Sequence, residues 1–456
     1  MSPLLVLAIG MAVVVGMILV LRVNAFLSLI TAALLVSVLS PGPLPERITR
    51  VAEAFGRTAG SIGIVIALAA VIGRCMMESG AADRIVRSLQ SAFGAKRTPV
   101  ALAASGYTLS IPVFFDTVFY LLIPLARSLY RRTGGNYLLY VLAISIGALA
   151  THTLVPPTPG PLIVADQLGV DLGVMIPIGL LVAVTTGVAG LLFARVLDRR
   201  MPVAMRPLGT GPEPEPLPDS QLPNLVWSAL PIMLPVALIS SSTASRALTR
   251  GEASPGFWSQ TAELAGLLGN PNLALLFSAA VAVFVLWRQR RPGREALAQS
   301  LEEALMSGGL IILITAAGGA FGATLQAAGV GEALQQRFEA ADVRGLLFLP
   351  VAFALAALLR VAQGSTTVAM IAASSMLGAM QLSPELLGFH PVYLAMAVGC
   401  GGMVGSWMND SGFWVYARMG GFTEAEALKS WTPTGVVMGL AGLLTTLLLA
   451  ALLPLR

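Results

Sequence analysis

Residues 111–117 read IPVFFDT and residues 151–161 read THTLVPPTPGP; far along the chain residues 360–367 read RVAQGSTT and residues 407–413 read WMNDSGF. Each stretch sets prolines, glycines or hydrogen-bonding side chains into sequence otherwise apolar enough for lipid. An unpaired backbone N–H or C=O is costly in hydrocarbon. A helix break at membrane depth therefore survives only where protein buries it or where it lines a cavity. Breaks at corresponding positions of two halves point to the substrate site of a carrier.

Composition supports a membrane setting. The 456 residues are 56% hydrophobic and 11% charged, with a mean hydropathy of +0.81, whereas a soluble domain carries about 25% charged residues. The net charge of +5 comes from basic residues spread over short loops, a topology signal rather than a nucleic-acid one. Cys75 and Cys400 lie in apolar segments and imply no disulfide framework. The opening SPLLVLAIGMAVVVGMILVLR has no basic leader and no small-residue cleavage motif, so it reads as a retained first helix.

A crossing needs roughly 20 apolar residues. Residues 3–21, 24–40 and 60–77 fit, with 41–57 read as a mixed loop and 81–93 as an amphipathic surface helix. Residues 99–129 are too long for one crossing and are interrupted at 111–116. Basic residues flank both ends, Lys96 and Arg97 on one, Arg131 and Arg132 on the other, so both ends fall on one side as a re-entrant hairpin. Residues 137–153 form a helix unwound at Pro156–Pro161, and 174–194 close the first half. The Pro-rich stretch 195–223 reads as an extended linker. Crossings at 224–239, 271–287 and 307–325 follow, the first two separated by a Ser-rich loop. A second hairpin at 345–381, a second broken helix at 391–416 unwound at Asn409–Gly412, and a last crossing at 433–453 end the chain.

The predicted fold is thus all-α and polytopic, with two repeats (1–194 and 224–456) joined by the linker (195–223). Gly73 pairs with Gly322 and Gly80 with Gly329 at one constant offset, which also sets Glu46 on Glu295, Asp116 on Ser365 and Thr117 on Thr366; a slightly larger offset sets Gly160 on Gly412 and Gly169 on Gly421. Five crossings plus one re-entrant hairpin per half invert the second repeat relative to the first and bring the broken helices to the midplane. With the linker in the cytoplasm, most of the 28 Lys and Arg fall inside while Asp and Glu show no bias, and both termini fall outside.

Asp116, Arg360 and Asp410 then sit at membrane depth, where a charge marks function by default. Arg360 either grips a substrate carboxylate with a planar fork or pairs with an acid to hold the hairpin. Asp116 and Asp410 either cap half-helices or carry a coupling proton. Gln363, Gly364, Ser365, Thr366 and Thr367 offer N–H groups and hydroxyls suited to an anion. Asn409, Asp410 and Ser411 offer amide, carboxylate and hydroxyl in one turn. His152, beside the proline break, either packs by hydrogen bonding or handles protons. His390 reads as an interface residue. No phosphate loop, nucleophile motif or metal-ligand cluster occurs in the sequence, so neither an ATP-driven pump nor a cofactor or metal is expected.

At THTLVPPTPGP, RVAQGSTTVA and NDSGFW the chain resembles the gluconate permease family, proton symporters for gluconate and related sugar acids within the ion-transporter superfamily. The likeness covers nearly the whole chain. It implies import of a small carboxylate such as gluconate by proton symport, a homodimer with elevator movement, and a place in the bacterial inner membrane. It also implies Asp116, His152, Arg360, Gln363–Thr367 and Asn409–Ser411 as substrate or proton sites; we take Asp116, His152 and Asp410 as the proton sites and the others, with Thr117, Thr158 and Gly160, as substrate contacts. The family often reads PPHPGP, where this chain has Thr158 at the histidine position. The rival readings are a sodium-coupled carrier of another small organic anion and a hydroxyamino-acid carrier. A channel would show a continuous polar face, and an intramembrane enzyme an assembled nucleophile and base; the sequence has polarity only at its breaks.

Overall fold

The computed structural model describes the chain apart from residues 1, 95–96, 207–217, 250–256, 334–335, 337–343, 383, 409 and 456, and, within helices, apart from a few side chains, that of Gln363 among them. The described residues form helices and no strand. Seven of these helices are long and apolar enough to cross a bilayer, and the protein is a polytopic all-α membrane protein.

Helices α1 (Pro3–Leu19) and α2 (Ala25–Leu39) are short, at 17 and 15 residues. Helix α3 runs unbroken from Leu44 to Ser79, which corrects the expected loop at 41–57. Its first turns are too charged to read as a crossing, yet Glu, Arg and Ala are good helix formers, and Val51 and Ala54 turn inward. Arg47 also reaches back to the carbonyls of Gly42, at 2.9 Å, and Val38. Gly80, at φ 80°, ends α3 in the left-handed conformation that glycine tolerates. The amphipathic helix α4 (Ala81–Phe93) follows as expected, with Ile85 and Val86 buried.

Next come two interrupted pairs. Helices α5 (Thr98–Leu109) and α6 (Phe115–Thr133) are separated at Ser110–Phe114. Helices α7 (Tyr137–Leu154) and α8 (Pro159–Gln167) are separated by the proline break. Helix α9 (Leu172–Arg200) closes the half and takes in the first residues assigned to the linker.

The rest of the chain also contains a long helix, two interrupted pairs and a closing helix. Helices α10 (Leu225–Thr249), α11 (Phe257–Leu268) and α12 (Pro271–Arg290) precede the long α13 (Arg294–Ala327). The expected Ser-rich loop is thus largely helical, and α13 starts well before Ser307 through another charged amphipathic extension. Helices α14 (Phe348–Gln363) and α15 (Thr366–Ala379) meet at Gly364 and Ser365. Helices α16 (Val392–Gly401) and α17 (Ser411–Gly420) flank a break longer than expected. It opens at Gly402, because a glycine-rich run with Gly405 at φ 74° ends the helix early. Helix α18 (Glu424–Leu452) starts ahead of Pro433, fixed by a capping box between Thr423 and Glu426.

Helix α3 packs along α13, with α2 and α12 beside them. Helix α7 lies at the centre of the other elements, and every residue in it except His152 is buried. Small residues permit the closest approaches: a Cβ on Gly147 would stand 1.9 Å from the Ala103 carbonyl oxygen, and one on Gly106 2.5 Å from that of Ile144. Of the linker, residues 207–217 lie outside the description. Arg206 binds Glu426 at 2.6 and 2.7 Å, and Asp219 pairs with Arg87.

Candidate functional site

Three helices begin at one cavity. The first turns of α6, α15 and α17 supply Phe115 and Asp116, Thr366 and Thr367, and Ser411 and Gly412 to its wall. Unpaired N–H groups and the helix dipole make such N-termini attractive to anions. Arg360, Ser365, Asp410, Phe114, Leu149, His152 and Trp431 complete the lining of a space of about 200 Å³. Drug-sized ligands occupy about 300–1,000 Å³, so this cavity suits a small molecule.

Arg360 is buried and donates three hydrogen bonds: Nε to the Gly402 carbonyl at 3.2 Å, Nη1 to the Gly364 carbonyl, and Nη2 to Asp410 Oδ2 at 2.5 Å. The guanidinium thus joins the α14–α15 tip to the α16–α17 break. Asp410 caps α17 through Oδ1, which accepts from Gly412 N–H at 3.0 Å. Its Oδ2 also accepts from Ser406, whose hydroxyl in turn accepts from Trp431 Nε1 at 2.5 Å. Trp431 stacks on Tyr416 at 5.3 Å and meets Phe115 at 5.4 Å, giving the cavity one aromatic wall.

Asp410 therefore caps a helix as the sequence suggests, and Arg360 pairs with an acid. Asp116 does not cap: Phe114 occupies the cap position of α6. Among the described residues no hydrogen bond or ion pair engages Asp116. Among the described residues His152 Nδ1 is buried without a hydrogen-bond partner.

The structure brings Asp116, His152, Arg360, Ser365, Thr366, Thr367, Asp410 and Ser411 together. Gly364 lies just behind, its carbonyl taken by Arg360. Thr117 faces an adjoining cavity of about 410 Å³ with Arg74, Glu78 and Glu303; Phe114 borders both spaces. Thr158 is buried behind the wall and donates to the Val155 carbonyl at 2.6 Å. Gly160 packs on Met370, whose sulfur would stand 3.0 Å from an added Cβ. Asn409 lies outside the described residues, as does the Gln363 side chain. Sequence reasoning missed Ser406 and Trp431. Ser406 lies in the α16–α17 break, in the part that reads from sequence as apolar helix, and Trp431 lies in α18, whose packing against that break brings the two together.

A cavity lined by charged and hydroxyl side chains where helices are interrupted, in a polytopic membrane protein, fits a transporter. Residues 2–453 match the GntP family permeases, and the chain belongs to that family; it is a secondary transporter, not an enzyme. It is 33% identical to an uncharacterized permease of Haemophilus influenzae over 97% of this chain and 91% of that protein. It is 32% identical to a gluconate permease of Pseudomonas aeruginosa, over 95% and 94% of the two chains. A low-affinity gluconate transporter of Escherichia coli is 31% identical over 92% of each. In fold it resembles the YdaH transporter of Alcanivorax borkumensis, with a TM-score of 0.61 and 16% identity, over 94% of this chain and 98% of that one.

Proposed function

We infer that the protein imports gluconate or a related small sugar acid by proton symport across the bacterial inner membrane. One observation carries the reading: three helix N-termini and the buried Arg360 face a cavity that also presents the hydroxyls of Ser365, Thr366, Thr367 and Ser411. Arginine and helix N-termini suit a carboxylate, and hydroxyls suit a polyol chain. The gluconate transporters among its relatives support the substrate class.

Asp116, His152 and Asp410 are the proton-handling groups of this reading. The repeated order of helices supports two inverted repeats, with α5–α6 and α14–α15 as re-entrant hairpins. Elevator movement of a homodimer completes the proposal. Uptake of radiolabelled gluconate into proteoliposomes, with pH and Na⁺ gradients imposed separately, tests it. Accumulation should follow the pH gradient; accumulation that follows Na⁺ and ignores pH would assign the coupling to sodium.

A further inference from the structure

Arg360 and Asp410 occupy each other in the cavity that is to receive an anion. The substrate carboxylate and the Asp410 carboxylate are chemically the same group and compete for one guanidinium. Both ends of the pair are held by other bonds: Arg360 by the Gly402 and Gly364 carbonyls, Asp410 by Gly412 N–H and the Ser406 hydroxyl. Each group therefore keeps other bonds when the Nη2–Oδ2 contact opens.

We propose that substrate and proton are exchanged at Arg360: the incoming carboxylate replaces Asp410 on Nη2, and the freed Asp410, facing Asp116 across the same cavity, binds a proton as a pair with it. Resting on the sugar-acid reading above, this supplies its coupling step. The groups that face Asp410 are Arg360 from α14, Asp116 from α6 and His152 from α7, while α18 contributes only the Trp431 N–H, through Ser406. Two carboxylates without a cation in a small low-dielectric cavity do not both stay ionised. The proton comes from water on the open side, forms an O–H bond on one carboxyl of the pair, and returns to water when the substrate leaves on the other side. One monoanion and one proton enter together, so the charge of the cavity is the same empty and loaded. That equality lets both forms cross without the penalty of an added buried charge. Ser406 is a positioning residue here, holding Asp410 in place once the guanidinium has turned to substrate.

The test is proton uptake on gluconate binding to the purified full-length protein, by calorimetry in buffers of different ionisation enthalpy. The expected result is about one proton taken up per gluconate bound, the linkage signature of a carboxyl that has lost its cation. Gluconate binding with no proton uptake overturns the exchange and leaves the sugar-acid reading standing; no binding of gluconate or related sugar acids overturns the sugar-acid reading itself. In proteoliposomes, Asp410→Asn should lose accumulation driven by a pH gradient, and the gluconate it carries should move net negative charge inward. Accumulation at the unaltered level in that variant overturns the proposal.

Discussion

Arg360 Nη2, in the last turn of α14, stands 2.5 Å from Asp410 Oδ2, in the α16–α17 break. Their side chains are 2% and 7% exposed, so water screens the pair little. Removing one partner strands a buried charge; removing both does not.

Arg360→Gln should therefore destabilise the protein by about 3–5 kcal/mol, while the double variant Arg360→Gln/Asp410→Asn regains most of that loss. Thermal unfolding in detergent measures both. Arg360→Lys keeps the charge but not the planar fork, and should weaken gluconate binding with the fold intact. Equal affinity in the lysine variant and the unaltered protein would leave Arg360 with a structural role alone.

Asp116→Asn mimics the protonated carboxyl permanently. The variant should lose gluconate accumulation driven by a pH gradient and keep gluconate exchange, which needs no net proton movement. Undiminished accumulation would remove Asp116 from the coupling pair. Thr117→Ala, which alters the adjoining cavity, should leave the coupling to pH in place.

Gly147→Val tests the seam between α5 and α7. The first carbon of any side chain there meets the Ala103 carbonyl at 1.9 Å, and overpacking costs typically about 1–3 kcal/mol. Tm should fall with no change in the pH dependence of residual transport. An unchanged Tm would mean that the two helices separate freely.

Thr423→Ala removes one half of the capping box of α18, in which Glu426 N–H meets Thr423 Oγ1 at 3.2 Å and Thr423 N–H meets Glu426 Oε2 at 2.8 Å. The expected loss is about 1 kcal/mol, read as a fall in Tm. A much larger loss would show that Glu426 and Arg206 depend on the cap for their placement.

The topology is open to direct labelling. Cys75 and Cys400 are buried, whereas Ser2 and Ser220 are exposed. Ser220→Cys should resist an impermeant thiol reagent in intact cells and react after permeabilisation, and Ser2→Cys should react in both. The reverse pattern would place the linker outside.

The sequence by itself determined the membrane setting and the helical class, because lipid leaves a polar backbone so few solutions. It also marked Asp116, His152, Arg360, the Ser365–Thr367 hydroxyls, Asp410 and Ser411, since a charge or a cluster of hydroxyls at membrane depth stands out against apolar neighbours. Helix ends were less legible. The starts of α3 and α13 are charged and amphipathic, so hydropathy cut them short, and the glycines near 402 unwound a stretch that reads as apolar helix. Only tertiary structure decided which breaks share a cavity. It turned Thr117 toward a second space, buried Thr158 behind the wall and brought Ser406 and Trp431 in behind Asp410. It also gave Arg360 to Asp410, because a buried guanidinium takes the nearest carboxylate and carbonyls that its fork can reach, and that choice depends on the position of backbone 50 residues away.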